Sequence, residues 1–173
     1  MALTALFCAL AIGSPAIVDR NDLIIEARAY AVTDPAFKLQ GPTLKLSKPP
    51  KDYPNLKIST VMGIDGEKFR GRNDMSVVSK PILKVTSGKS AQWVLNLFGI
   101  DEKPEISRFT LTPTWRKGDD LDFALSLGLD RKDAPKETWT FSESAVLKTD
   151  QYFAMLITSP QRRMLYTFKI QLR

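Results

Sequence analysis

Three acidic side chains lie close enough in sequence to suggest a metal site. Asp119, Asp120 and Asp122 follow a glycine, and neighbouring carboxylates are the ligands that a cation such as calcium binds. A calcium loop supplies roughly six to eight oxygen ligands at fixed spacing, and the D-x-D-x-D-G pattern of such a loop does not occur here. We therefore expect Asp119 and Asp120 in a turn and Asp122 at an outward-facing strand position, and we predict no metal site.

Histidine is absent from the chain, and cysteine occurs once, as Cys8. Without histidine there is no Ser-His-Asp triad, no Cys-His pair and no HExxH zinc helix. A single cysteine excludes an intrachain disulfide, a CxxC redox pair and a four-cysteine metal site. Glu67 and Glu143 have no recognisable carboxylate partner for glycosidase-type catalysis. We predict no catalytic residue and no cofactor, since an enzyme would have to rely on carboxylate or lysine chemistry alone.

Basic side chains are in excess: 25 Lys and Arg oppose 19 Asp and Glu, which gives a formal net charge of +6 and a pI near 9.5. Such an excess permits polyanion binding, although it is more often typical of a soluble basic surface. Cations after the Asp65-Gly66 turn, together with a pair in a later turn, form the predicted binding set for an anionic ligand. These residues are Lys68, Arg70, Arg72, Arg162 and Arg163. The ligand would be a polysaccharide, a lipid headgroup or a nucleic acid, and no RNP-like or RGG pattern predicts a specific nucleic acid.

Two further features have both a structural and a functional interpretation. Glu26 and Arg28 share one face of a predicted strand, where a surface ion pair across strands is favoured over a buried catalytic or pore-facing pair. Trp93, Trp115 and Trp139 each lie in a predicted strand. For these three rings, core packing is favoured over an aromatic binding surface or a membrane-interface belt.

The first residues of the chain predict export. Residues 2–13 form an apolar run without a charge, too short to span a bilayer as a helix but typical of the central region of a secretory signal. Ser14 and Ala16 place small residues at the −3 and −1 positions of a cut after Ala16. We predict a signal segment over 1–16 and one domain over 17–173. Because Cys8 leaves with the signal, the mature chain contains neither Cys nor His, which suits an oxidising compartment.

The remainder of the sequence predicts β-strands. Leu121, Phe123, Leu125, Leu127 and Leu129 alternate at period two, the signature of a strand with one buried face. No convincing amphipathic helix follows the signal segment. The predicted strands cover residues 23–32, 56–64, 82–86, 90–98, 108–115, 121–129, 138–147, 151–157 and 164–172.

Short turns join these strands. Asp65-Gly66 is a hairpin signal, Ser87-Gly88 joins two strands, and Lys117-Gly118-Asp119 joins two more. The proline-rich segment 41–55 is expected to be a loop or an edge, because proline cannot donate to a strand ladder. The fold class is predicted to be all-β, with a single domain of about eight mostly antiparallel strands in a meander or sandwich-like arrangement. A barrel or a strongly curved sheet fits the same spacing.

Several stretches, taken in order from residue 23 to 172, resemble the β-domain of bacterial secretins, the channel family of type II and III secretion. LIIEARAYAVTDPAFKLQG resembles the opening strand of that family, and VVSKPILKVTSGKSAQWVL resembles its central hairpin. FTLTPTWRKGDDLDFALSL, FSESAVLKTDQYFAMLI and RRMLYTFKIQL resemble the later hairpin and the closing strands. The positions that match the family's Pro, Gly and small-residue pattern are Ser79, Pro81, Gly88, Ala91, Pro113 and Gly118.

Departures from the secretin pattern predict a reduced, stand-alone form. The segment before VVSKP is short and rich in Lys and Pro, Gln151 replaces the glycine of a turn, and there is no room upstream for secretin N-domains. The resemblance implies a non-enzymatic, exported envelope module of the periplasm or outer membrane, structural or interaction-related, with a role in secretion. Protein partners or other copies of the chain would bind through strand edges. Membrane association is compatible with this interpretation, and no transmembrane helix is predicted in the mature chain. The alternative is a small β-sandwich that binds an anionic ligand through its Lys/Arg loops.

Export generates the first testable expectation. The mature protein is expected to begin at Ile17 and to be found outside the cytoplasm, whereas a chain without residues 1–16 stays in the cytoplasm. Intact mass and cell fractionation measure both outcomes. Since Cys8 is removed, the mature form is also expected not to react with a maleimide. A cytoplasmic protein that retains Met1 would contradict the export prediction.

Overall fold

The computed structural model describes eight ranges of the chain: residues 22–41, 57–98, 104–118, 120–131, 137–141, 147–148, 151–159 and 162–173. These ranges contain eleven β-strands and one 3-10 helix, Gly66–Phe69. The all-β prediction is therefore confirmed. The signal segment and the proline-rich segment after Gly41 lie outside the described residues. Within the described part of the chain, no helix has the length and apolar character needed to cross a membrane.

The strands form two antiparallel sheets. Sheet I contains β1 (Asp22–Val32), β2 (Lys57–Ile64), β3 (Met75–Ser79), β4 (Ile82–Thr86), β10 (Tyr152–Thr158) and β11 (Arg163–Leu172). Sheet II contains β5 (Ala91–Phe98), β6 (Pro104–Lys117), β7 (Asp120–Arg131), β8 (Glu137–Phe141) and β9 (Leu147–Lys148). In sheet I the order is β2-β10-β11-β1, and both β3 and β4 pair with the far side of β1. In sheet II the order is β5-β6-β7, and both β8 and β9 pair with β7.

Alternating side chains explain the hairpin of β6 and β7. Leu121, Phe123, Leu125 and Leu127 are all buried, as the period-two pattern predicts. The turn is made by Gly118 at φ 64°, a left-handed conformation that glycine adopts without a Cβ penalty. The resulting hairpin keeps its register over most of its length, with one irregularity near the turn.

The inner faces of the two sheets pack together to form the main core. Of the predicted arrangements, the described part of the fold is therefore a sandwich of two sheets and not a barrel. Phe109 of sheet II lies 4.6 Å from Tyr166 and 5.6 Å from Phe168 of sheet I, measured between ring centroids. Trp93 is buried in the same cluster, which confirms its predicted core role. Trp115 is partly buried against this core, and the side chain of Trp139 lies outside the described residues.

Strand β1 is covered on both faces near its end. Its inner residues up to Ala29 belong to the main core, whereas Tyr30 and Val32 belong to a second core on the opposite face. Phe37 and Phe69 complete that second core and lie 6.2 Å apart in an edge-to-face arrangement. The turn after β1 and the 3-10 helix are therefore held on the outside of sheet I by apolar burial.

Two predicted hairpins are wrong. β2 pairs with β10 and not with the next strand, because Asp65-Gly66 starts the 3-10 helix: the Asp65 carboxylate accepts a hydrogen bond from the Glu67 N–H at 3.0 Å. Gly66 also lacks the positive φ that a type I′ turn needs. Ser87-Gly88 does make a tight turn, but it carries the chain from β4 in sheet I to β5 in sheet II.

The strand count also exceeds the prediction. An additional strand, β3, precedes β4, and residues 138–147 contribute two strands, β8 and β9, which both pair with β7. Residues 142–146 between β8 and β9 lie outside the described part of the chain. These short strands exist because each pairs with a long neighbouring strand. A local sequence pattern does not indicate such pairing.

The sandwich core gives a stability prediction. Phe109→Ala removes a fully buried ring that contacts rings of both sheets, so it is expected to lower the free energy of unfolding by about 3–5 kcal/mol. The matched control Arg108→Ala changes the neighbouring exposed side chain of the same strand and is expected to cost less than about 0.5 kcal/mol. Urea denaturation measures both values, and equal losses in the two variants would contradict this packing.

Candidate functional site

The face of sheet I that points away from sheet II, here called the outer face, carries rows of mostly polar side chains. Residues of neighbouring strands that lie opposite each other share a face, and the register places Ile82, Glu26, Lys169 and Tyr152 in one such row. The next row along β1 contains Arg28 opposite Thr167. The outer face is thus polar near the start of β1 and apolar near its end, where the second core lies.

The 3-10 helix is anchored on this row through Tyr152. A Cβ atom added to Gly66 would lie 2.3 Å from Cγ of the Tyr152 ring, so only glycine allows the helix to approach this closely. The Tyr152 hydroxyl donates a hydrogen bond to Glu67 Oε1 at 2.8 Å. Glu67 in turn forms an ion pair with Arg70 at 2.7 Å. Together these contacts tie the helix to β10.

Charged side chains also lie on the strands beside this anchor. Arg28 and Glu26 form an ion pair at 3.6 Å, and their side chains are 17% and 28% exposed. The pair lies within one strand and is half-buried, which differs from the surface pair across strands that was expected. Burial lowers the pKa of Arg28, but a hydrogen bond with Tyr30 and the charges of Tyr152 and Glu26 outweigh this effect and raise it overall. Lys169 Nζ lies 5.8 Å from the centroid of the Tyr152 ring.

The predicted anion-binding set is gathered around the second core. Lys68 and Arg70 are exposed on and just after the 3-10 helix. Arg72 makes two hydrogen bonds to the Asp74 carboxylate, at 2.8 and 2.6 Å, and its guanidinium lies 5.3 Å from the centroid of the Phe37 ring. The hydrogen bond from Arg72 lowers the pKa of Asp74.

The remaining two residues of the predicted set each contact a turn, Arg163 through its side chain and Arg162 through its backbone. Arg163 donates to the backbone carbonyls of Asp34 and Phe37, and the Arg162 N–H donates to the Ser159 hydroxyl at 3.1 Å. Arg72 and Arg163 therefore meet at Phe37, which the sequence did not predict. The guanidinium groups of Arg70, Arg72 and Arg163 bond acceptors of the chain itself.

A second feature of sheet I is its edge; the sequence predicted binding through strand edges in general but did not identify this one. β3 and β4 follow each other along the same side of β1, and we call this the β3–β4 edge. The break at Lys80-Pro81 stays attached to the sheet because the Ala27 N–H donates to the Pro81 carbonyl at 3.0 Å. Among the strands that the structure describes, none pairs with the outer side of β3 or β4.

This edge exposes large apolar side chains. Val77 is 56% exposed, Val78 is 44% exposed and Ile82 is 67% exposed. Val77 and Ile82 lie opposite Tyr30 and Glu26 of the outer face, and the adjacent Val78 turns to the other side of the strand, so the edge exposes apolar side chains on both of its sides. The sequence signal was present in the two adjacent valines, because adjacent residues of a strand face opposite sides and both cannot enter one core.

The surroundings of the edge are basic. From Met75 to Gln92 the chain contains three lysines and no acidic residue. A cavity of about 160 Å³ lies beside β4, between that strand, the start of β1 and Arg173. Lys84 and Arg173 line it together with one acid, Asp22.

The acidic cluster after Gly118 is a different case. Asp122 accepts a hydrogen bond from Arg116 Nε across the hairpin, and Asp119 lies outside the described residues. Within the ranges that the structure describes, no group of three His, Cys, Asp or Glu side chains is arranged to hold a metal ion.

Comparison with known proteins finds no match for this chain among family models, curated proteins or solved structures. The resemblance to secretins stays a prediction. The candidate surfaces are therefore defined by their own geometry: the polar outer face with its cations, and the β3–β4 edge.

The Tyr152 anchor gives a pH prediction. Burial raises the pKa of Tyr152 to about 12, and the hydrogen bond to Glu67 contributes in the same direction. Between the ordinary pKa of 10.0 and about 12 the folded protein keeps a proton that the unfolded chain has lost, so stability falls as pH rises through this window. Tyr152→Phe is expected to weaken that decline, and Glu67→Gln is expected to lower the pKa of Tyr152 partway. Absorbance at the tyrosinate band and urea denaturation measure these effects. Titration of every tyrosine near pH 10 would contradict the anchor.

Proposed function

We propose that this protein is an exported, non-enzymatic module of a bacterial cell envelope that binds other proteins through the β3–β4 edge. The observation that carries the proposal is the exposure of Val77, Val78 and Ile82 on an edge that no described strand covers. Alternate residues of such a strand turn their N–H and C=O groups outward, where an extended segment can pair with them. Backbone hydrogen bonds would supply affinity, and the apolar side chains would supply buried area.

The β3–β4 edge has features that protect exposed strands from nonspecific pairing. Natural edge strands avoid aggregation by being short, by carrying lysine or proline, or by containing a bulge. The β3–β4 edge has all of these: two five-residue strands, Lys80-Pro81 between them and a register shift at Ala29/Tyr30. A partner of the right sequence could still pair with β3 or with β4.

Export and the envelope setting rest on the apolar segment 2–13 and on a mature chain without Cys or His. The edge lies within the stretch that resembles the secretin central region, which supports a secretion-related assembly in the periplasm or at the outer membrane. The alternative, an anion-binding sandwich, is less well supported. A ligand would have to compete with Glu67 and Asp74 for the cations of the predicted set.

Site-specific photocrosslinking in cells tests the interaction module. A photoreactive residue replaces Val78 or Ile82, and the control replaces Arg108, an exposed residue of β6, which is paired on both sides. We expect ultraviolet light to produce a protein adduct from the two edge positions and none from position 108. Fractionation of the same cells reports whether the adduct lies in the envelope.

Three outcomes would count against the proposal. An exported protein without adducts at either edge position would contradict the interaction surface. Equal adducts at all three positions would indicate nonspecific contact. An adduct found only in the cytoplasm would contradict the envelope setting.

A further inference from the structure

The charges around the β3–β4 edge are strongly one-sided. Lys80, Lys84 and Lys89 are all exposed, and no acid lies between Met75 and Gln92. Among the acids of the neighbouring segments, Asp74 bonds Arg72 and Glu26 bonds Arg28, whereas Asp22 lies opposite Thr86 of β4. Of the described residues along this edge, basic side chains therefore outnumber acidic ones.

This charge disfavours pairing of the edge with a second copy of itself. A twofold antiparallel arrangement centred on Lys84 of β4 is self-complementary, so it places Lys84 of one copy opposite Lys84 of the other and Lys80 of one copy close to Lys89 of the other. Like charges that face each other directly or diagonally across paired strands are destabilising. A segment with acidic residues in those positions would instead gain attraction at each of them.

The pattern on β4 also indicates how the acidic residues would be spaced. Ile82 and Lys84 lie two residues apart and share the outer face, opposite Glu26 and Ile24 of β1 respectively. A strand added to β4 would place an apolar residue beside Ile82 and an acidic residue beside Lys84.

We propose that the partner of the β3–β4 edge is an extended, acidic polypeptide segment that adds to β4 as a further strand, with its acidic and apolar residues alternating. This inference rests on the proposed function and names its partner class. An anionic membrane would also attract lysines beside exposed apolar residues. An added strand is favoured because it also pairs the outward backbone groups of β4, which lipid headgroups and acyl chains do not reproduce in register.

The test uses labelled peptides and the purified mature chain. One peptide alternates Glu with Val and has Gly at both ends; matched peptides replace every Glu by Gln or by Lys. Fluorescence polarisation is expected to show binding of the Glu peptide about tenfold tighter than of the Gln peptide, with none for the Lys peptide. The preference is expected to shrink as salt rises.

Two controls locate and define the binding. Lys84→Glu is expected to abolish the preference for the Glu peptide, whereas Lys148→Glu, the same change at an exposed lysine of β9, is expected to leave it unchanged. A Glu peptide with N-methylated backbone amides is expected not to bind, since it cannot complete a strand ladder. Hydrogen exchange is expected to slow in β4 when the unmodified Glu peptide is bound.

The outcomes separate this inference from the proposed function. Equal binding of the Gln and Glu peptides with protection of β4 would overturn the acidic partner and leave the edge as an interaction surface. Binding of phosphatidylglycerol vesicles that depends on Ile82, with no peptide binding, would replace the protein segment by a membrane. No peptide binding together with adducts at Val78 and Ile82 would overturn only the acidic strand. No binding and no adducts would overturn both proposals.

Discussion

Burial of the inner sheet faces against each other is the constraint on which the rest of the structure depends. Phe109 packs on Tyr166 and Phe168, and Phe123 packs on Phe153, so aromatic rings from both sheets form one continuous core. Large aromatic side chains contribute more buried apolar area than other residues, which makes this contact the dominant source of stability. Within the described residues, this burial leaves the outer faces, the strand edges and the turns accessible for binding.

The outer face of sheet I has two parts, one covered by an apolar cluster and one lined by charged and polar side chains. Near the end of β1 it is covered by the second core of Phe37 and Phe69, and Arg72 and Arg163 hold the covering turn in place. Near the start of β1 it carries the row that leads from Glu26 to Tyr152. Several basic residues that a sequence marks as available for ligands thus stabilise the covering segments, because a cation close to a carboxylate or a carbonyl pairs with it first.

The β3–β4 edge differs from that face because the backbone N–H and C=O groups that point away from β1 have no partner strand within the described fold. Lys80-Pro81 and the register shift discourage a second copy from pairing, yet Val77 and Ile82 remain exposed. In the arrangement that we propose, the lysines that disfavour pairing of the edge with itself also favour an acidic partner, so protection and recognition would come from the same residues.

Local patterns determined much of this protein. Period-two alternation identified β7, the turn residues identified the β6–β7 hairpin, and the absence of His together with a single Cys excluded triad, Cys-His and CxxC chemistry. The pairing partners were decided by the tertiary structure: β2 lies beside β10 rather than β3, and the turn at Gly88 joins two sheets instead of two neighbouring strands. A turn signal reports the local backbone, whereas pairing depends on which faces must be buried together. For the same reason, the sequence gives the number of basic residues but does not show which of them are paired within the fold. It also does not show that Val77, Val78 and Ile82 lie on an open edge.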